Sequence, residues 1–137
     1  MIVIDASALA KYVLHEEGWE EVSRFVRERR PLYSVDHVVK EVGNAVWRHC
    51  VLRGALGKAE AVRLYQAFLN LVNAGVIVLE PEADYVEPAL RIALERGVTL
   101  YDSLYIAQAQ RYGELLTSDR RQAEVAAELG ARVHLVE

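Results

Sequence analysis

Cysteine is all but missing. Cys50 stands alone among 137 residues, so no intrachain disulfide can staple the chain, and a reducing compartment, the cytoplasm, is expected. Long apolar runs are missing as well. The opening "MIVI" meets an acid at Asp5, well short of the roughly 18 apolar residues that a membrane span requires, and no charged segment precedes it, so neither export nor anchoring is expected. An excess of positive charge is also absent, the formal net charge being -4. This excludes a whole-surface electrostatic grip on nucleic acid, and a polyanionic substrate would depend on local cations or a bound metal.

Several familiar chemistries lack their residues. The "GALGK" stretch at Gly54 has neither the length nor the following Ser or Thr of a phosphate-cradling Walker loop. No serine sits in a nucleophile elbow. His15, His37, His49 and His134 form no tight pair at ligand spacing, and Cys50 beside His49 points off another helix face, which argues against zinc.

What the chain does contain is the material of an ordinary globular domain: 53% apolar and 26% charged residues, in a length that suits one domain over 1–137 rather than two. Short aliphatic runs at Ile2 to Ile4, Leu32 to Val35, Val76 to Leu79, Leu115 to Leu116 and Val133 to Val136 read as strands. None alternates cleanly, and helical pattern separates each from the next. Strands buried on both faces of a parallel sheet look this way, and the class is α/β. Gly75, Gly97, Gly113 and Gly130 follow helical segments at the expected stop position. Val38, Val42, Ala45, Val46 and His49 share one helical face, predicting an amphipathic helix from Val38 to about Leu52.

Two acids fall at strand ends, Asp5 after the first strand and Asp119 just after "ELLT". In open parallel sheets, ligands bind outside the carboxyl ends of the strands. Each acid also has a purely structural use. Asp5 and Asp119 are placed to cap the helices that follow them, and Asp102 is placed to close a capping box opened by Thr99. Glu41 lies inside a helix at the edge of its apolar stripe, where an ion-paired or snorkelling side chain is the structural alternative. Together, Asp5, Glu41, Asp102 and Asp119 carry a different implication. At ~5 Å and an effective dielectric of ~20, two carboxylates repel by roughly 3 kcal/mol, so a cluster of four would call for protons or metal. Oxygen donors without thiolate or imidazole suit Mg²⁺ or Mn²⁺.

With those acids in order, the sequence resembles the PIN-domain family, and within it the VapC-type toxins of prokaryotic toxin-antitoxin pairs. The resemblance covers nearly the whole chain. "IVIDASALAKYVLHEEG" is similar to the family's first strand and helix, "VVKEVGNAV" to its glutamate helix, "TLYDSLYIAQA" to its second aspartate helix, and "LLTSDRR" to its last acidic turn. The implied fold is a parallel sheet of four or five strands with helices on both faces. The implied metal-site and catalytic acids are Asp5, Glu41, Asp102 and Asp119, the last completing the site or supporting it from outside, with Ser7 and Thr117 as polar supports. Two positions depart from the family pattern, Gln122 after the paired arginines and Gly43 inside the glutamate helix.

The implied activity is Mg²⁺- or Mn²⁺-dependent endonucleolytic hydrolysis of RNA. A VapB-like antitoxin that wraps the domain and a homodimer are the implied partners, and the segment "AEAVRLYQAFLNLV" from Ala59 offers apolar area for the latter. Arg120, Arg121 and Lys11 are candidate phosphate contacts, as are Lys40 and Arg48, each also readable as solvated helix surface. Tyr101 and Tyr105, four apart on an apolar helix, read as core and are left outside the site. A dehalogenase-type phosphatase needs a second aspartate that "DAS" lacks, and a receiver-like domain needs a lysine near the last strand. The remaining alternative is a catalytically weak PIN module that mainly binds a protein or RNA.

Overall fold

A computed structural model describes residues 1–137. Five strands alternate with seven helices: β1 Ile2–Ile4, α1 Ala6–Leu14, α2 Trp19–Glu28, β2 Leu32–Val35, α3 Val38–Trp47, α4 Lys58–Asn73, β3 Ile77–Glu80, α5 Val86–Arg96, α6 Leu100–Tyr112, β4 Glu114–Thr117, α7 Arg120–Glu128 and β5 Arg132–Leu135. All pairings are parallel, in the order β3-β2-β1-β4-β5. This is the α/β class with the upper of the two expected strand counts. The expected strands are all present: β1 and β2 end where expected, and the ends of β3, β4 and β5 are shifted by one residue.

The register explains the unbroken apolar runs. Val3 pairs with Tyr33 on one side and Leu115 on the other, so β1 lies at the centre, and Ile2, Val3 and Ile4 are all essentially inaccessible. Parallel connections are right-handed. The chain moves one way through α1 to α4 and the opposite way through α5 to α7, so the two helix groups cover opposite faces of the sheet. Consistent with this, α1 packs on α2, α3 and α4, whereas α6 packs between α5 and α7. One apolar core of 30 residues runs from Ile2 to Val136.

Helix α6 has the most buried sequence in the molecule, with every residue from Ser103 to Ala109 buried. It has α5 and α7 at its flanks and contacts β1, β2 and β4, so little of its middle reaches solvent. That is why its sequence carries apolar residues on more than one side rather than on a single stripe. Gly97 ends α5 and Gly113 ends α6 in the left-handed conformation. Gly18 is required twice over: its φ is +93°, and a Cβ there would lie 2.9 Å from the Glu137 carbonyl oxygen.

One helix departs from expectation. The helix predicted from Val38 to about Leu52 is regular only to Trp47, and residues Arg48–Leu52 widen into a short π-helical turn. The widening is closed by a hydrogen bond from the Arg53 N–H to the Arg48 carbonyl, after which Gly54 turns the chain at φ +62°. Such turns reorient the side chains that follow. Here they leave Arg48 and Arg53 exposed and His49 partly so, beside α1. No helix is long and apolar enough to cross a membrane.

Candidate functional site

The sheet order places β1 and β4 side by side, while the connections leaving them run in opposite directions. Their carboxyl ends form the crevice where α/β folds hold ligands. Asp5 follows β1 directly, and Thr117 ends β4 with Asp119 two residues on.

A web of polar groups ties these two strand ends together. Asp5 Oδ1 accepts from the Ser7 hydroxyl at 2.7 Å and from the Ala8 N–H at 3.0 Å. Asp5 Oδ2 accepts from the Thr117 hydroxyl. Ser7 Oγ in turn accepts from the Ser118 N–H at 2.8 Å, and Thr117 Oγ1 from the Asp119 N–H at 3.0 Å. Asp5 therefore caps α1, as one sequence reading held, while being bonded on both oxygens and fully buried. Burial pushes its carboxyl up from the ordinary 3.8 to about 7; the bonds from Thr117, Ala8 and Ser7 pull against this, and the charge of Asp119 adds to it.

Glu41, Asp102 and Asp119 line an open cleft of about 600 Å³, together with Ser7. Asp5 and Thr117 lie beneath it rather than on its wall. Asp119 caps α7 through the Gln122 N–H at 3.0 Å, so it too has the structural use that its position suggests. Asp102 occupies the first turn of α6, where the Thr99 hydroxyl accepts its N–H at 3.2 Å. Burial first, and the charge of Asp119 second, raise the Asp102 carboxyl, against the Thr99 hydroxyl and the Gln122 amide, which favour its ionised form. Gln122 is 3% exposed and lines the cleft. The departure noted at this position thus puts a polar side chain next to the acids.

Glu41 projects from α3 on the other side of the cleft. Tyr105 donates its hydroxyl to Glu41 Oε1 at 2.5 Å, and the His37 ring nitrogen Nε2 lies 3.5 Å from the same oxygen. Tyr105 is fully buried, as its sequence context predicts, yet its polar end belongs to the site. Tyr101 lines the cleft with 58% of its surface exposed and leans on the His37 ring at a centroid distance of 4.4 Å. Sequence reasoning left Tyr101, Tyr105 and His37 outside the site. The available signals were the position of Tyr105 three residues after Asp102 and the four-residue step from His37 to Glu41, both of which put side chains on one helical face.

The predicted cation contacts need correction. Arg120 pairs with Glu137 at 2.6 Å; Arg121 donates to the Arg96 carbonyl at 2.8 Å and lies 3.8 Å from Glu124. Neither lines the cleft, because a helix that presents Asp119 at its cap turns the next two side chains outward. Lys11 lines a neighbouring cleft and donates to the Glu17 carbonyl. The basic residues of the acidic cleft itself are Lys40 and Arg48.

The donor set is carboxylate and hydroxyl oxygen, joined, against the sequence expectation, by the His37 imidazole beside Glu41, and no three His, Cys, Asp or Glu side chains close into a ready-made cage. A cation that keeps most of its water and takes one or two carboxylates fits such an arrangement better than one that demands a full protein cage. The buried Asp5 carboxyl, with no basic partner and a neighbouring acid, supplies the electrostatic demand for positive charge.

Comparison with known proteins places the chain in a family. The family model described as PIN domain matches residues 2–128. Ribonuclease VapC3 of Pyrobaculum aerophilum is 36% identical over 124 residues, covering 90% of this chain and 92% of that protein. Exonuclease VapC9 of the same organism is 28% identical over 120 residues, covering 88% and 80% respectively. The crystal structure of PAE2754 from Pyrobaculum aerophilum superposes with a TM-score of 0.69 at 28% identity, covering 96% of this chain and 89% of that one. With its sheet order, its acids at the strand-end crevice and these relatives all in accord, the chain belongs to the PIN domain family, as a homologue of the VapC proteins.

Proposed function

We propose that this protein is a divalent-cation-dependent endoribonuclease, the toxin of a VapBC-type pair. The observation that carries the reading is the convergence of Glu41, Asp102 and Asp119 on one cleft at the β1/β4 crevice, over a buried Asp5 whose carboxyl is pushed up to about 7. Asp5 and Asp119 cap helices, but the mutual repulsion of like charges so arranged costs stability, which a bound cation would relieve. The names of the relatives, one a ribonuclease and one an exonuclease, support a nuclease.

Asp102, Glu41 and Asp119 would hold the cation, with Asp5 supporting from below. Mg²⁺ or Mn²⁺ bound there would supply a water of lowered pKa and positive charge against the phosphate oxygens. A carboxylate of this set, Asp102 or Glu41, is placed to take a proton from the attacking water. Water oxygen bonds to phosphorus and the bond to the departing ribose oxygen breaks, leaving a phosphate monoester and a hydroxyl end. Tyr105 fixes the Glu41 carboxylate, with the His37 ring beside it, and the Asp5, Ser7 and Thr117 bonds fix the strand ends beneath it.

The remaining partners are part of the same reading. Val46, Trp47, Ala61, Val62 and Tyr65 line a mainly apolar cleft of about 330 Å³ on α3 and α4, and Trp47 and Val62 are 48% and 57% exposed. This surface supports an apolar partner, whether an antitoxin segment or a second copy of the chain. The segment from Ala59 lies in α4 and contributes to it, although Phe68 is spent in the core.

The test is cleavage of a mixed RNA panel, linear and circular, with Mg²⁺, Mn²⁺ or EDTA, comparing wild type with Asp102→Asn. Cation-dependent opening of the circles that Asp102→Asn abolishes supports the proposal. Cleavage confined to linear ends replaces it by an exonuclease, and equal cleavage by both proteins removes it in favour of a binding module.

A further inference from the structure

The acidic cleft does not stop at the acids. A second cleft of about 260 Å³ adjoins it, and the two share Ser7, Ala10, Ala45 and Arg48 on their common wall. Beyond that wall the charge changes sign. Lys11 from α1, Arg48 and His49 from the π-helical turn and Arg53 just after it line the second cleft, with Glu16, 3.8 Å from His49, as the one acid among them. In a protein of net charge -4, such a cluster beside the acids is a local inversion of the surrounding field.

Arg48 is the hinge of this arrangement. It faces both clefts, is exposed, and has no hydrogen-bond or ion-pair partner within the chain, unlike Arg29, Arg91, Arg96, Arg120 and Arg121, which all have one. Arg53 has only the His49 ring, at 3.5 Å, and no carboxylate. His49 and Arg53, four residues apart, fall on one side of this turn and its end, and Arg48 stands on the wall between the two clefts.

We propose that this second cleft is the track for the phosphodiester backbone of a single RNA strand on one side of the bond that is cut, with Arg48 and Arg53 as its phosphate contacts. The inference rests on the nuclease reading above and names the path its substrate takes. At about 260 Å³ the cleft is smaller than the usual small-molecule pocket, with room for one backbone rather than two. Guanidinium groups that no carboxylate of the chain engages are free to form bidentate contacts to phosphate. Lys11, which donates to a backbone carbonyl, adds charge without being neutralised.

The experiment is binding of a short unstructured RNA to the full chain, by fluorescence anisotropy in EDTA across a series of salt concentrations. Arg48→Ala/Arg53→Ala should weaken binding about tenfold per lost contact, about 100-fold in all, at low salt and flatten the slope of log K against log salt by about 1.4, since each lost phosphate contact on a single strand removes about 0.7. Arg48→Lys/Arg53→Lys should restore the slope. Arg91→Ala, on α5 and exposed with Glu87 as its partner, should leave both quantities at the wild-type value. Wild-type affinity and slope in the double alanine variant, in a protein that still binds and cuts RNA, overturn the track alone. A wild-type protein that neither binds nor cuts RNA overturns the nuclease reading and the track with it.

Discussion

Tyr105, wholly inside α6, sends its hydroxyl across to α3, where it donates to Glu41 Oε1 at 2.5 Å. Burial and the adjacent Glu41 charge push the phenol well above its ordinary range, so it remains a donor at any working pH. A core residue thus fixes a cleft residue. Tyr105→Phe keeps the ring and removes only this bond. Cation affinity by titration calorimetry and the cleavage rate should each fall about tenfold, the worth of a hydrogen bond to a charged group. The melting temperature should move by only a few degrees. A Phe variant with unchanged cation affinity would show that Glu41 holds its position without help.

Asp5 makes stability depend on pH in an unusual sense. Its carboxyl titrates at about 7 in the fold, against 3.8 ordinarily. Between those values the native state keeps a proton that the unfolded chain has released, so this residue's contribution is fully present below about 4. It is lost as pH rises to about 7, by roughly 4 kcal/mol in all. In EDTA, the wild type should therefore lose stability relative to Asp5→Asn over that window, as read by paired thermal melts. Saturating Mg²⁺ should shrink the loss at the upper end. A difference that stays flat from pH 4 to 7 would contradict the account.

Asp102→Asn should exchange activity for stability. The wild-type carboxylate is disfavoured by burial first and by Asp119 second, and neither acts on a neutral amide. The metal-free variant should melt at a higher temperature than the wild type while losing roughly 100-fold or more in cleavage, the usual weight of a general base. Loss of both stability and activity would assign Asp102 a structural role instead.

Gly43 shows how a departure from helical preference is used. A Cβ at this position would stand 3.3 Å from Tyr65 Cε1, and Tyr65 is held by its hydroxyl bond to the Val39 carbonyl at 2.7 Å. Alanine would gain about 1 kcal/mol of helix propensity, whereas overpacking against a tethered ring costs about 1–3 kcal/mol. Gly43→Ala should therefore be destabilising by about 1 kcal/mol in urea titrations, and Gly43→Ala/Tyr65→Phe, which frees the ring, should recover part of the loss.

Much of the architecture was legible from local pattern. Aliphatic runs without alternation specify strands covered on both faces, as Val3 between Tyr33 and Leu115 illustrates, and the stops at Gly97 and Gly113 are backbone requirements carried by the residue itself. Asp5 and Asp119 were recognisable because a cap and a strand-end acid occupy the same position in the chain. The π-helical turn at Arg48–Leu52 was not, since nothing in "RHCVL" distinguishes a widened turn from a regular one.

The sequence alone determined the class of fold, the strand and helix sites, and which acids stand at strand ends, because hydrophobic period and turn chemistry are local properties. Tertiary structure alone decided that Asp5 lies beneath the cleft while Glu41, Asp102 and Asp119 line it. It also turned Arg120 and Arg121 away, and brought Tyr105 and His37 to Glu41. Those outcomes follow from the sheet order and from the facing of α3 and α6, which bring together residues as far apart in the chain as Asp5 and Thr117. Contacts of that range depend on how whole elements pack, and a side chain's neighbours across a cleft leave no periodic trace in its own segment.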